Sequence, residues 1–276
     1  MNTPWNSRRP SARTPRATPL PRSEAPPGRG SGDELRLFGV NAVLAAFNRR
    51  PHALRKLYLL EALIPRMQPL LKWCVSNRIG YRVVDDGDLN KLSGTTHHEG
   101  IVADVQRAPV LSLAQWLQQL PAGPVLALWL DGVGNPHNLG AILRSAAHFG
   151  VAGLLLPEHS TLGISGAAAR VAEGGAEALP LVALPATAQA MAQLQQAGFG
   201  LAATLVEGGE NVFTATLPAR LVYVVGAEGE GMDRGLAAQC GQQVSIPGSG
   251  AVESLNVASA TAVLLAQWAR TRISRP

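Results

Sequence analysis

Three short runs collect side chains able to do chemistry. NPHNLGAILR (135–144) offers amides at Asn135 and Asn138 and a guanidinium at Arg144. GAEGEG (226–231) sets Glu228 in a glycine-rich turn, where Gly226 permits close backbone approach. IPGSGAVESLN (246–256) presents Glu253, Ser254 and Asn256 just before an apolar run. Such groups can orient a hydroxyl, hold a phosphate or steady a developing negative oxygen. A P-loop would need GxxxxGK[ST], and the third run contains no Lys. GSGAVE begins like the dinucleotide-binding GxGxxG and ends in Glu, so an oxidoreductase reading lacks its fingerprint. No Lys or Arg occurs between Arg234 and Arg270, so a neutral or cationic ligand suits this loop better than an anionic one. Taken singly, each run also fits a structural role: an N-cap Asn with a surface Arg, a turn with solvated acids, a capped turn. Residues six apart do not share a helix face, so Asn138 and Arg144 meet only if Asn138 precedes the first turn.

The elements that must position these runs alternate between strand and helix. Residues 40–48 have helical spacing, 55–60 and 81–85 read as strands, and 64–78 as a helix. Residues 86–94 read as a short helix or turn, and 100–106 alternate like a strand closing a compact αβαβ module. Residues 108–124 read as a linker containing a short helix. Beyond it, strands at 125–132, 151–157, 179–184, 199–205, 219–226 and 242–247 are separated by helices beginning near 139, 164, 186 and 232. A last helix covers about 256–272. This alternation argues for a parallel α/β sheet, in which ligands sit beyond the C-terminal strand ends. All three runs follow strands, so they can converge there.

The 276 residues carry a net charge of +5, and its distribution is uneven. Residues 1–32 hold six Arg and one Glu, and are rich in Pro, Ser and Gly. That composition cannot build a core and reads as a disordered tail. Residues 33–107 hold 11 basic and 8 acidic residues, whereas 108–276 hold 7 and 10. Basic character toward the N-terminus points to a polyanionic partner, nucleic acid above all, or to a solubilising tail. No apolar run reaches about 18 residues, so no membrane span is expected. Cys74 and Cys240 form no CxxC, and with no secretory signal the chain reads as cytoplasmic with reduced thiols. His97, His98 and Glu99 lack a further ligand, so no metal is expected.

In order and spacing the three runs resemble the SpoU/TrmH family of RNA ribose methyltransferases, within the SPOUT class. The resemblance covers 125–272 and reaches FGVNAVLAAF (38–47) and HHEGIVADV (97–105) in the N-terminal module. It implies an α/β fold: a C-terminal SPOUT domain (125–276) with a parallel sheet and trefoil knot, preceded by a small ribosomal-protein-like RNA-binding module (33–107). The implied cofactor is S-adenosylmethionine, with Gly226, Ile246 and Leu255 at cofactor-contact positions and Thr204 as a further candidate. The implied reaction is methyl transfer to a ribose 2′-hydroxyl of ribosomal RNA or tRNA. Asn138, Arg144, Glu228, Ser254 and Asn256 would form the catalytic site. Arg144 is often assigned as base in this family, but a guanidinium pKa above about 12 favours phosphate binding and alkoxide stabilisation instead. The resemblance also implies a homodimer, for which the charge-free helix at 257–269 offers a surface, or equally a core element. An RNA-binding protein of this fold with little activity is the alternative.

Overall fold

A computed structural model describes residues 33–158, 160, 162–226 and 231–270. The Arg-rich tail at 1–32 and the tip of the second run, including Glu228, lie outside the described residues.

The N-terminal module is built from β1 (Glu34–Phe38), α1 (Val40–Arg49), β2 (Leu54–Leu59), α2 (Gln68–Ser76), β3 (Gly80–Val83), α3 (Asp86–Ser93) and β4 (Ile101–Gln106). Its four-stranded sheet runs β1-β4-β2-β3. β4 is antiparallel to both β1 and β2, and β3 is parallel to β2. The αβαβ expectation omitted β1. ELRLF is five residues long, and its buried Leu35 and Leu37 merge by eye with the helix that follows. Leu37, Leu57, Leu59 and Ile101 face α1 and α2, where Val43, Leu70 and Cys74 complete the core. Asp85 starts α3 by accepting a hydrogen bond from the Asp88 N–H, which satisfies a donor of the first turn.

The stretch expected as a linker is instead part of the larger layer. β5 (Leu111–Ser112) pairs in parallel with β8, and α4 (Leu113–Gln119) follows. Ser112 and Gln115 form a reciprocal capping box, and buried Trp116 donates from Nε1 to the Ala152 carbonyl at 3.0 Å. The chain continues through β6 (Val125–Asp131), α5 (Pro136–His148), β7 (Leu154–Leu156), α6 (Gly166–Val171), α7 (Gly175–Ala178) and β8 (Leu181–Ala183). Then come α8 (Thr187–Gln196), β9 (Gly200–Leu205), β10 (Glu210–Asn211), β11 (Arg220–Gly226), α9 (Arg234–Gln239), β12 (Gln242–Ser245) and α10 (Val257–Arg270). The eight strands are ordered β10-β12-β9-β11-β6-β7-β8-β5, and every described pairing is parallel. β6 and β11 are central and buried on both faces, as a parallel sheet covered by helices requires. α10 packs along α5 and buries Val257, Leu264, Leu265 and Trp268 within its own chain.

Candidate active site

The first run begins at the C-terminal end of β6. Asn135 caps α5 by accepting from the His137 N–H at 2.8 Å, and Pro136 occupies the first helical position. Proline suits that position, because the missing N–H has no helical partner there. The helix therefore starts three residues earlier than its apolar spacing suggested, and Asn138 falls within the first turn. Arg144 then lies roughly 120° around the axis and about 9 Å along it from Asn138. The structure accordingly shows no contact between them. Arg144 is exposed, and among the described residues its side chain makes no hydrogen bond or ion pair.

The second run leaves the end of β11, next to β6. Gly226 is there because nothing larger fits. A Cβ would stand 2.6 Å from the Met232 N and 2.7 Å from the Gly231 carbonyl carbon. Gly231 and Met232 therefore lie directly against the end of β11. Thr204, at the end of β9, donates its hydroxyl to the Val224 carbonyl of β11 at 3.0 Å, so it braces the strand ends.

The third run makes the decisive crossing. β12 is separated from β6 by β9 and β11, about 14 Å at ordinary strand spacing. Residues 246–256 span that gap, and Asn256 arrives beside the start of α5. Its Nδ2 donates to the Asn138 Oδ1 at 3.1 Å. Its own Oδ1 accepts from the N–H groups of Ala258 and Ser259 at 2.9 and 3.4 Å, which caps α10. One side chain thus ends the loop, begins the helix and joins the first run to the third. Ser254 and Leu255 are exposed beside it, Leu255 at 48%, and Ile246 is half-buried against the core.

Sequence reasoning did not anticipate two further features. An open cleft of about 430 Å³ lies against the N-terminus of α5, lined by Asp131, Gly132, Pro136, Pro157, Leu162 and Ser165 among others. Its volume suits a small ligand. Its walls come from separate loops, so no spacing rule reveals it. The other is the junction between the two sheets. Arg170 pairs with Glu99 at 3.1 Å, Arg50 with Glu177 at 2.6 Å, and Asn41 donates to Glu173. These partners are 71 to 132 residues apart, so nothing local signals them.

Residues 125–266 match the SpoU rRNA Methylase family, and residues 36–111 match the RNA 2′-O ribose methyltransferase substrate binding family. The chain belongs to the SpoU family. It is 38% identical over 242 residues to an uncharacterized tRNA/rRNA methyltransferase, YfiF, of Escherichia coli O157:H7, covering 88% of this chain and 70% of that protein. It is 37% identical over 242 residues to the 23S rRNA (guanosine-2′-O-)-methyltransferase RlmB of Ralstonia nicotianae, covering 86% and 95%. The solved structure of the SpoU methyltransferase AviRb from Streptomyces viridochromogenes, in complex with AdoMet, aligns with a TM-score of 0.73 at 25% identity over 88% of this chain and 92% of that one. An AdoMet-bound rRNA methyltransferase from Sinorhizobium meliloti aligns with a TM-score of 0.75 at 22% identity, covering 88% and 89%, and shares the fold. The parallel α/β layer and the N-terminal module with its own sheet both agree with the α/β architecture expected from the resemblance.

Proposed function

We propose that this SpoU-family chain methylates a ribose 2′-hydroxyl of ribosomal RNA, with tRNA as the other RNA class, using S-adenosylmethionine. The observation that carries this reading is the Asn256–Asn138 hydrogen bond, which gathers the first and third runs beyond the central strands. The residues fit the cofactor. Gly226 lets the Gly231 and Met232 backbone close on the strand end, and Ile246 and Leu255 offer apolar surface for an adenine ring. The cation-free stretch from 235 to 269 suits a sulfonium, because no positive side chain there opposes it. When bound, S-adenosylmethionine supplies a methyl group already activated for transfer. The protein's tasks are then to align the hydroxyl and to manage one proton.

In this reading Arg144, exposed and free of a described partner, grips the phosphate beside the target ribose. It stabilises the oxygen as its proton leaves. Asn138 is held by Asn256 so that its remaining amide hydrogens point toward the ribose, and Ser254 offers a further hydroxyl contact. Glu228 completes the set as a hydrogen-bond acceptor. The cleft beside α5 would seat the target nucleotide. The passage of 246–256 over two strand ends supports the trefoil knot implied by the resemblance. A homodimer is also part of the proposal. Within one chain α10 is already used as core, so the support comes from exposed Val206, Phe213 and Val252, in the loops after the neighbouring strands β9, β10 and β12. No helix among the described residues is long and apolar enough to cross a membrane, and both cysteines are free thiols, which suits a cytoplasmic setting.

The test is methyl transfer from radiolabelled S-adenosylmethionine into total RNA of a strain lacking the gene, followed by nucleoside analysis. Label in a 2′-O-methylnucleoside of large ribosomal RNA is expected. Label in a base-methylated nucleoside, or none with the cofactor bound, would overturn the reading.

A further inference from the structure

Five of the module's eleven cations are engaged in hydrogen bonds or ion pairs. Arg36 pairs with Asp104, Arg50 with Glu177 and Lys91 with Asp88. Arg55 donates to the His52 carbonyl and Gln106, and Arg107 to the Ile164 carbonyl. Arg49 stands apart at the end of α1. The remaining set is different. Arg66, Lys72, Arg78 and Arg82 are all exposed, and among the described residues none makes a hydrogen bond or ion pair. No acid occurs between Glu61 and Asp85, so this stretch carries four positive charges and no negative one.

The fold gathers these cations along one margin. α2 turns Leu70, Leu71 and Cys74 inward, so Lys72, Val75 and Ser76 share its outer face. Arg78 lies in the turn from α2 to β3. β3 is the free edge of the four-stranded sheet, and all its residues are exposed. Arg82 stands opposite Tyr58 in the parallel register, and the Lys56 ammonium lies 5.1 Å from the centroid of the Tyr58 ring. Apolar groups stand among the charges: Val75, Tyr81 and Val83 are 65%, 40% and 47% exposed. The acids that follow are occupied, Asp85 as the cap of α3 and Asp86 as acceptor from Asn90. The module's opposite flank is not free. The Arg36 carbonyl and Phe38 press on Gly166, and Glu99 holds Arg170.

We propose that the margin formed by α2 and the β3 edge is where the module grips RNA. It would take an unpaired or looped segment of the same molecule whose ribose is methylated. Lys72 and Arg78 contact phosphates on the α2 side of the edge strand, Arg82 contacts one on the opposite face beside Tyr58, and Tyr81 offers a ring face to a base. Unpaired cations interleaved with an exposed aromatic suit a polynucleotide, because phosphates and base faces alternate along its strand. The assignment rests on the RNA methyltransferase reading.

The experiment titrates the full chain with total ribosomal RNA from a strain lacking the gene, at several salt concentrations. The triple variant K72E/R78E/R82E should bind at least tenfold more weakly. Its slope of log affinity against log salt should fall by about 2, from ~0.7 per phosphate contact on a single strand. Y81A should weaken binding by about tenfold without changing the slope. The milder K72A/R78A pair should shift affinity and slope in the same direction by less, which guards against a fold defect in the charge reversals. Wild-type affinity and slope in the triple variant would overturn the assignment. So would a loss confined to kcat with KM for RNA unchanged. If the unaltered protein neither binds nor methylates RNA, the methyltransferase reading falls, and the surface falls with it. If it methylates normally and the triple variant does too, only the surface falls.

Discussion

Asn256 does two separable jobs, and two substitutions separate them. As a cap, its Oδ1 receives the N–H groups of Ala258 and Ser259. As a bridge, its Nδ2 holds the Asn138 Oδ1. N256A removes both. Losing a cap costs about 1 kcal/mol, and losing the exposed hydrogen bond to Asn138 costs up to ~1 kcal/mol more. For a folded unit of this size each kcal/mol lowers Tm by about 2–4 °C, so N256A should melt roughly 2–8 °C early. N256D keeps the cap, since a carboxylate accepts the same N–H groups and sits favourably at a helix N-terminus. It cannot donate to Asn138. The Asn138 amide must turn over to give its own Nδ2 to the carboxylate, and its carbonyl then faces the substrate. N256D should therefore melt within about 2 °C of the parent, given surface effects of ~0.5 kcal/mol. Its methyl transfer should fall by about 10- to 100-fold, at 1.4 kcal/mol per decade. The assays are a thermal melt and single-turnover transfer into ribosomal RNA, with S-adenosylmethionine binding as a control. A fully active N256D would refute the bridge, and an N256A variant as stable as the parent would refute the cap.

Arg144→Ala and Asn138→Ala should each abolish methyl transfer while leaving the melting temperature within a few degrees, because both side chains lie at least partly outside the core; full activity in either purified variant removes that residue from the site. Gly226→Ala should weaken S-adenosylmethionine binding and lower stability by about 1–3 kcal/mol, the usual cost of forcing extra volume into a filled space, since its Cβ meets backbone at 2.6 Å; calorimetric titration with the cofactor reads the first effect. Burial pushes the thiols of Cys74 and Cys240 from 9.0 up to about 11. The unfolded chain releases these protons first, so stability is fully present below pH 9 and declines as pH rises toward 11. A melt series from pH 8 to 11 should show this decline reduced in Cys74→Ala, and thiol reagents at pH 8 should leave the native protein unlabelled.

The order of strands and helices was largely legible in the sequence, because buried parallel strands such as VLALWL and LVYVV are continuous apolar runs. Three strands were not. β5 and β10 are two residues each, and exist only because a neighbour pairs with them. β1 was absorbed into the helix that follows it. The start of α5 was misplaced because Pro136 reads as a loop residue unless it is recognised as a first helical position. That the first and third runs come together beyond the strand ends was legible from topology. The Asn256–Asn138 contact was not, since 118 residues separate the pair. The fate of the module's cations was equally hidden. Arg50 and Arg82 look alike in sequence, yet one is locked to Glu177 and the other makes no hydrogen bond or ion pair among the described residues.

That difference decides how the two sheets can cooperate. Polar contacts alone, such as Arg170–Glu99 and Arg50–Glu177, would leave the module free to swing, because domain interfaces of that kind are usually mobile. Here the apolar core is continuous. Leu37, Val40 and Leu57 of the module belong to the same buried cluster as Leu128, Leu143 and Ala169 of the larger layer. The path from the module to the site is short and made of backbone. The Gly174 backbone abuts Ala45 of α1, and a Cβ on Gly175 would stand 2.7 Å from the Leu143 carbonyl oxygen and 3.1 Å from the Arg144 Cα. The helix that carries Arg144 is therefore one layer away from the module's docked flank. An RNA held on the free α2–β3 margin is thus held at a fixed offset from Arg144. On the proposed surface, such a geometry would select a substrate by the distance between its gripped segment and its target ribose, as well as by the target itself.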